Sequence, residues 1–168
     1  MRYIALRYFS VAGAPWGRTG QSTPKATHLI KVALQAALGQ KPYLEVFGTD
    51  YPTPDGKCVR DYIHVSDLIS AYLAALRYLR AGGESQVINC GYGRGFSVME
   101  VAEAVKCVTG MDFDVRLGPR RVGDPPRLIA HNHRINNALE WSAKYDDLRT
   151  IVAHALSWER KQINDINQ

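Results

Sequence analysis

With 168 residues, of which 46% are hydrophobic and 22% charged, the chain has the make-up of one ordinary soluble domain, which excludes a disordered or collagen-like polymer. A compact fold of this length buries roughly 68–70% of the surface its unfolded chain exposes, so no disulfide or metal staple is required. Lys and Arg outnumber Asp and Glu by 21 to 16, and the resulting charge of +5 favours anionic partners; the charges are dispersed and carry no stacking-aromatic motif, so a nucleic acid is not expected.

Cys58, Cys90 and Cys107 are odd in number and show none of the paired spacing of a zinc site or disulfide framework, which points to buried, reduced thiols in a cytoplasm. No apolar run approaches the ~20 residues that span a bilayer, and MRYIALRYFS lacks the anatomy of a signal peptide. A cytoplasmic protein without a membrane partner is expected.

Along the chain, Tyr3 to Val11 reads as a largely buried strand that enters the Gly-, Pro- and Ser-rich loop Gly13 to Pro24. Leu29, Val32, Ala33 and Ala36 fall on one helical face, which Gly39 stops. A short strand over Tyr43 to Phe47 precedes the turn-rich Tyr51 to Gly56. Ser66 or Asp67 is placed to cap a helix with Leu68, Tyr72, Ala75, Leu76 and Leu79 as its apolar stripe, ending near Gly82. Val87 to Cys90 is a strand, and Ser97 with Glu100 forms a capping box ahead of a helix that Gly110 ends. Phe113 to Leu117 alternates as a strand, Pro119 to Pro126 is an Arg- and Pro-rich loop, and Leu148, Ile151, Val152 and Ala155 mark a last amphipathic helix. Strands alternating with helices define an α/β layer architecture.

Two constellations bear on chemistry. Gly91-Tyr92-Gly93-Arg94-Gly95-Phe96 follows a strand and opens a helix as a dinucleotide fingerprint does, but Phe96 stands where the third glycine is needed, so a structural turn is the better reading. Arg60 beside Asp61, and Arg116, Arg120, Arg121 and Arg127 around Asp124, suit a diphosphate because planar guanidinium groups engage two oxygens at once; the competing reading pairs these arginines with Asp61 and Asp124. His28, His64, His131, His133 and His154 show no metal-ligand spacing with carboxylates, and His131 with His133 would need further ligands. Cys90 lies in an apolar strand and reads as core. No Tyr-x-x-x-Lys pair occurs in the chain.

The ordered segments Leu6 to Ala14, Phe47 to Gly56, Val59-Arg60-Asp61-Tyr62-Ile63-His64-Val65 and Arg120-Arg121-Val122-Gly123-Asp124-Pro125-Pro126 resemble the carboxy-terminal half of the UDP-glucose 4-epimerase family of extended short-chain dehydrogenases/reductases. The resemblance covers nearly the whole chain to about Lys161. It implies a partial Rossmann-like sheet plus a small substrate-binding α/β subdomain, with residues 1–168 forming a single substrate-binding half and the amino-terminal NAD-binding region lying outside the chain. Family members oxidise a UDP-hexose at C4 by hydride transfer to tightly bound NAD and return the hydride to the other face, with a Tyr base, its Lys neighbour and a Ser moving protons.

By the same resemblance Arg60 and Arg121 hold the diphosphate, Asp124 accepts from a ribose hydroxyl, and Glu45 through Phe47 flank the uracil with backbone groups, with the Leu29 backbone nearby. Tyr8 and Phe9 border the nicotinamide pocket, which is the only cofactor contact implied. Ser10 replaces the usual Asn at the sugar diphosphate and is shorter by an amide, and His131-Asn132-His133 replaces an Asp-containing stretch; His28 and Leu128 occupy variable positions. No catalytic or metal-ligating residue is expected in this chain. Apolar strands without all their neighbours invite association, so a complementary amino-terminal half, or self-association through exposed sheet edges, is the expected partner beside UDP-hexose. The alternatives are a non-catalytic nucleotide-sugar-binding module and one subunit of a split enzyme.

Overall fold

The computed structural model describes residues 1–15, 18–23 and 25–166, the last without its side chain; Trp16, Gly17 and Pro24 of the expected loop lie outside the described residues. In chain order the elements are β1 (Ile4–Arg7), β2 (Ser10–Ala12), α1 (Leu29–Ala37), β3 (Leu44–Phe47), β4 (Val59–Arg60), β5 (Tyr62–His64), α2 (Val65–Arg80), β6 (Gln86–Asn89), β7 (Phe96–Ser97), α3 (Val98–Thr109), β8 (Val115–Gly118), β9 (Arg127–Leu128), α4 (His133–Leu139) and α5 (Leu148–Ile166). Among the described residues the strands form parallel pairs β1–β6, β2–β5 and β3–β8 and a mixed sheet in the order β7–β4–β9.

The single strand expected over Tyr3 to Val11 is divided. Ile4 to Arg7 pair with Gln86 to Asn89, whereas Ser10 to Ala12 pair with Tyr62 to His64. The handover falls at Tyr8 and Phe9: Cys90 N donates to Arg7 O (2.8 Å) and Ser10 N donates to Asp61 O (3.3 Å). Side-chain apolarity is continuous across this point, so sequence pattern carries no sign of the change of partner. Both strands are half-buried rather than fully buried, because each has one hydrogen-bonded neighbour.

Two cores result. In one, Ile30 and Leu34 of α1 pack with Val101 and Val105 of α3, Ile151 and Val152 of α5, and Leu44 and Val46 of β3. In the other, Leu68 and Ala71 of α2 meet Ile63, Ile88, Cys90, Ile135 and Trp141. The capping box at Ser97 and Glu100 is formed, and Gly110 ends α3 at φ +68°. Short elements built from two or three residues, β4, β5, β7 and β9, and the helix α4, were not legible as periodic segments.

Helix α2 departs from expectation at both its cap and its stripe. Its N-cap is His64, whose Nδ1 accepts from Ser66 N (3.0 Å), rather than Ser66 or Asp67. Asp67 instead accepts from the Tyr92 hydroxyl (2.7 Å) and from Tyr145 N (2.9 Å). The buried apolar positions are Leu68, Ala71, Ala74 and Ala75, while Ile69, Tyr72, Leu73 and Leu76 are exposed. Small alanines let α2 sit close to the β1–β6 pair, and the larger side chains are left facing outward. Cys58 and Cys90 are buried, but Cys107 is exposed on α3.

Because His64 Nδ1 is an acceptor, its Nε2 carries the proton and donates to His154 Nδ1 at 3.1 Å. Gly13 lies against this ring at φ +78°, where a Cβ would come within 2.4 Å of His64 Cδ2, so only glycine fits. Burial and the facing His154 lower the His64 pKa from 6.5 to about 4, with Asp67 opposing the shift and Tyr145 stacked at 4.6 Å. The unfolded chain therefore takes up the proton first as pH falls. This contribution to stability is complete above pH 6.5, is lost between about pH 6.5 and 4, and totals at most about 3 kcal/mol. Urea melts of native protein and His64→Gln across that window should show a steeper slope for the native chain; parallel curves contradict the assignment.

Lys31 and Glu159 form a buried ion pair of 2.5 Å joining α1 to α5, with Lys31 also donating to Gln21 O (2.8 Å) and Gln162 Oε1 (3.2 Å). Removing one partner strands a buried charge. Glu159→Ala is expected to cost about 3–5 kcal/mol in urea denaturation, whereas Lys31→Met combined with Glu159→Leu should recover most of it. Equal losses in the single and double variants would contradict this.

Candidate functional site

The turn Tyr51 to Gly56 is closed by Tyr51 N donating to Gly56 O (3.1 Å), Lys57 N to Asp55 Oδ1 (3.0 Å) and Thr53 Oγ1 to Lys57 O (2.7 Å). It delivers the chain into β4, the central strand of the mixed sheet, with Val59 turned into the core and Arg60 only partly buried. Arg60 Nη1 donates to Val59 O (3.0 Å) and Pro125 O (2.8 Å), and its Nη2 lies 3.7 Å from Asp124 Oδ1. These contacts fasten the Arg-rich loop across β4. Parallel pairing of Val59 and Arg60 with Arg127 and Leu128 continues the connection.

On the opposite wall, β3 buries Leu44 and Val46 and exposes Glu45, as period-two alternation requires. The Arg121 guanidinium stacks on the Phe47 ring at 3.7 Å, so the loop after β8 closes over the end of β3. Arg116 pairs with Asp114 (3.0 Å) and stacks on Tyr43, and Arg120 pairs with Asp50 (2.6 Å) and stacks on Tyr51. The alternative that pairs the arginines with Asp61 and Asp124 is met only in the Arg60 to Asp124 contact.

Between these walls lies a cavity of about 560 Å³ whose lining contains Ser10, Leu29, Glu45, Phe47, Arg60, Arg121 and Asp124. The fold thus collects residues from β2, α1, β3, β4 and the Arg-rich loop in one place. Lys41, Arg60 and Arg121 face Glu45 and Asp124 there, a cationic excess suited to an anion. Tyr62 and Cys58 also line it and were not singled out from sequence, although both flank Arg60 in the chain. Burial raises the Tyr62 phenol, which keeps it neutral.

Tyr8 and Phe9 stand apart from that cavity. Phe9 lines a second, more apolar one of about 910 Å³ together with Val11, Gly13, Ile69 and Trp158. Tyr8 is exposed and meets Tyr72 edge to face, with ring centroids 6.3 Å apart. His131 and His133 contact each other at 4.9 Å, and no group of three or more His, Cys, Asp or Glu placed to hold a metal occurs among the described residues. No described helix is long and apolar enough to cross a membrane.

Asp61 explains the glycine-rich turn. Its buried carboxylate accepts from Tyr92 N (3.1 Å), Gly93 N (2.9 Å) and Ala130 N (3.2 Å). Amides that would cradle a phosphate in a fingerprint are therefore committed to a side chain. A Cβ at Gly91 would come within 2.6 Å of Ala130 Cβ and 2.7 Å of Asp61 Oδ2, so this glycine serves close packing. The turn does not fit the pyrophosphate of a dinucleotide. Burial raises the Asp61 pKa, and the three amides pull in the opposite direction.

A partial parallel sheet and a basic cavity built from separate segments define a Rossmann-like α/β protein with a pocket suited to an anion. Residues 1–91 match the NAD dependent epimerase/dehydratase family, and the chain belongs to that family. Among its relatives, a UDP-glucose 4-epimerase of Azospirillum brasilense is 56% identical over 169 residues, covering 100% of this chain and 49% of that protein. The crystal structure of a UDP-glucose 4-epimerase from Brucella ovis in complex with NAD matches at 43% identity and TM-score 0.88, over 93% of this chain and 48% of that one. One from Stenotrophomonas maltophila with bound NAD and formylated UDP-arabinopyranose matches at 36% identity and TM-score 0.94, over 98% and 49%. The chain spans about half the length of the curated relatives it matches.

Replacing Asp61 removes the side-chain acceptor of three main-chain donors at once. Asp61→Ala is expected to cost about 3 kcal/mol or more in chemical denaturation, and Asp61→Asn, which keeps one acceptor oxygen, should fall between it and the native chain. An unshifted midpoint for Asp61→Ala contradicts the role.

Proposed function

We propose that this chain is the UDP-sugar-binding half of an NAD-dependent UDP-glucose 4-epimerase that interconverts UDP-glucose and UDP-galactose. The observation that carries the reading is the single basic cavity in which the residues of five separate segments meet. In it Arg60 and Arg121 bind the diphosphate, Asp124 accepts from a ribose hydroxyl, the backbone of Glu45 to Phe47 flanks the uracil, and Leu29 offers its backbone beside it. Ser10 contacts the sugar diphosphate with a hydroxyl where an amide would reach further. NAD, when bound to the whole enzyme, would supply the hydride chemistry at C4 of the sugar. Phe9 lines the apolar wall on that side, with Tyr8 beside it.

The chain carries no Tyr-x-x-x-Lys pair, so proton transfer at the sugar is left to a complementary amino-terminal half. The exposed Ile69, Tyr72, Leu73 and Leu76 of α2, next to Tyr8, support a docking face for that half. The chain alone is inactive, and reconstitution with an amino-terminal half restores interconversion of the two UDP-hexoses. Binding without any gain of activity on mixing would leave a non-catalytic nucleotide-sugar-binding module.

Calorimetry tests the pocket directly. The native chain should bind UDP, and Arg60→Ala should weaken binding by about ten- to a hundredfold, the equivalent of one charge-assisted hydrogen bond. No heat with UDP at millimolar concentration, or an unchanged dissociation constant in the variant, contradicts the reading.

A further inference from the structure

Arg120 and Arg121 are consecutive, yet only Arg121 lines the basic cavity. Each stacks on a ring of the same neighbouring segment, Arg121 on Phe47 at 3.7 Å and Arg120 on Tyr51 at 4.2 Å. Asp50 lies between those rings in the chain, and Arg120 takes it twice, through Nε on the carboxylate (2.6 Å) and through Nη2 on the main-chain carbonyl. Gly48 N donates to Gly118 O (2.9 Å), so the loops that follow β3 and β8 are joined where they leave their strands. A Cβ on Gly48, at φ +81°, would come within 2.3 Å of the Tyr51 ring and 2.9 Å of Arg120 Cγ, so the stack needs glycine there. Arg121 itself makes no ion pair among the described residues. Its charge is available to a ligand, while that of Arg120 is matched by Asp50.

The inference rests on the diphosphate reading of the basic cavity. A long guanidinium side chain binds an anion well only when its backbone is already fixed, because ordering the loop at the moment of binding costs conformational entropy. The far end of the Arg-rich loop is fixed by Arg60 through Pro125 O and Asp124, and Arg120 is the corresponding tie at the near end. We propose that Arg120 is a positioning residue: through Asp50 and Tyr51 it clasps the two loops together and so holds Arg121 over the diphosphate, without touching the ligand. The clasp lies at the surface, with 42% of the Arg120 and 71% of the Asp50 side chain exposed, so its removal leaves both cores intact.

Titration of the full chain with UDP and with uridine separates positioning from folding. Arg120→Met should weaken UDP by about tenfold and change uridine by no more than about twofold, with Arg120→Lys, which keeps the ion pair, falling between Arg120→Met and the native chain. Asp50→Ala decides between geometry and charge: loss of the clasp weakens UDP, whereas a simple field effect, from taking a negative charge away from the site, tightens it. In a double-mutant cycle the two changes together should weaken UDP no more than Arg120→Met alone, since both break one contact. Tighter UDP binding by Asp50→Ala, an unchanged UDP affinity in Arg120→Met, additive losses in the cycle, or equal loss of UDP and uridine overturns the inference while leaving the nucleotide site standing. Failure of the native chain to bind UDP overturns the underlying reading and this inference with it. Arginine side-chain spectra of the native chain decide the matter even where a variant does not fold: the Arg121 Nε resonance should move with UDP, and an Arg120 Nε resonance that moves as far signals direct contact and contradicts positioning.

Discussion

A carboxylate with 1% of its surface exposed, accepting from three main-chain amides of two separate segments, holds the site together. Asp61 sits between Arg60 and Tyr62, at the point where the chain leaves the mixed sheet and enters the β2–β5 pair. By binding Tyr92 N and Gly93 N it fixes the turn after β6, and by binding Ala130 N it fixes the segment after β9. Tyr92 extends the link, since its hydroxyl donates to Asp67 and accepts from His64 N at 2.9 Å. The polar network therefore runs from the sheet that presents Arg60 to the N-terminus of α2. A charge buried this deeply is tolerable only with such a set of donors.

This arrangement separates two tasks that adjoin in the chain. Tyr8 and Phe9 lie where the backbone passes from the β1–β6 pair to the β2–β5 pair; Phe9 faces the apolar cavity and Tyr8 is exposed. Ser10, one residue further, faces the basic cavity. The handover between sheets places an apolar wall at Phe9 and a polar wall at Ser10, one residue apart. Arg60 is held in advance by Pro125 O and Asp124, so little side-chain freedom remains to be lost when an anion arrives.

Much of this was legible in the sequence where the physics is local. The capping box at Ser97 and Glu100, the glycine stop at Gly110 and the amphipathic α1, α3 and α5 depend on neighbours in the chain, and they lie as the pattern requires. The substrate-loop residues were named from ordered motifs, and seven of the nine named site residues line one cavity. What pattern could not supply is non-local. The division of β1 from β2 depends on which strand lies alongside, not on side-chain type. The N-cap of α2 went to His64 because Asp67 was claimed by Tyr92 and by the distant Lys144 and Tyr145 amides. The stripe of α2 shifted because alanines, rather than Tyr72 and Leu76, meet the sheet.

The central claim is that loops far apart in the chain converge on the diphosphate of one uridine nucleotide. A crystal structure of this chain grown with UDP tests it most directly. The account predicts the pyrophosphate within hydrogen-bond distance of Arg60 and Arg121, with the base against Glu45 to Phe47. A nucleotide seated instead in the apolar cavity beside Trp158, or bound through the amides of the Gly91 to Gly95 turn, would contradict it.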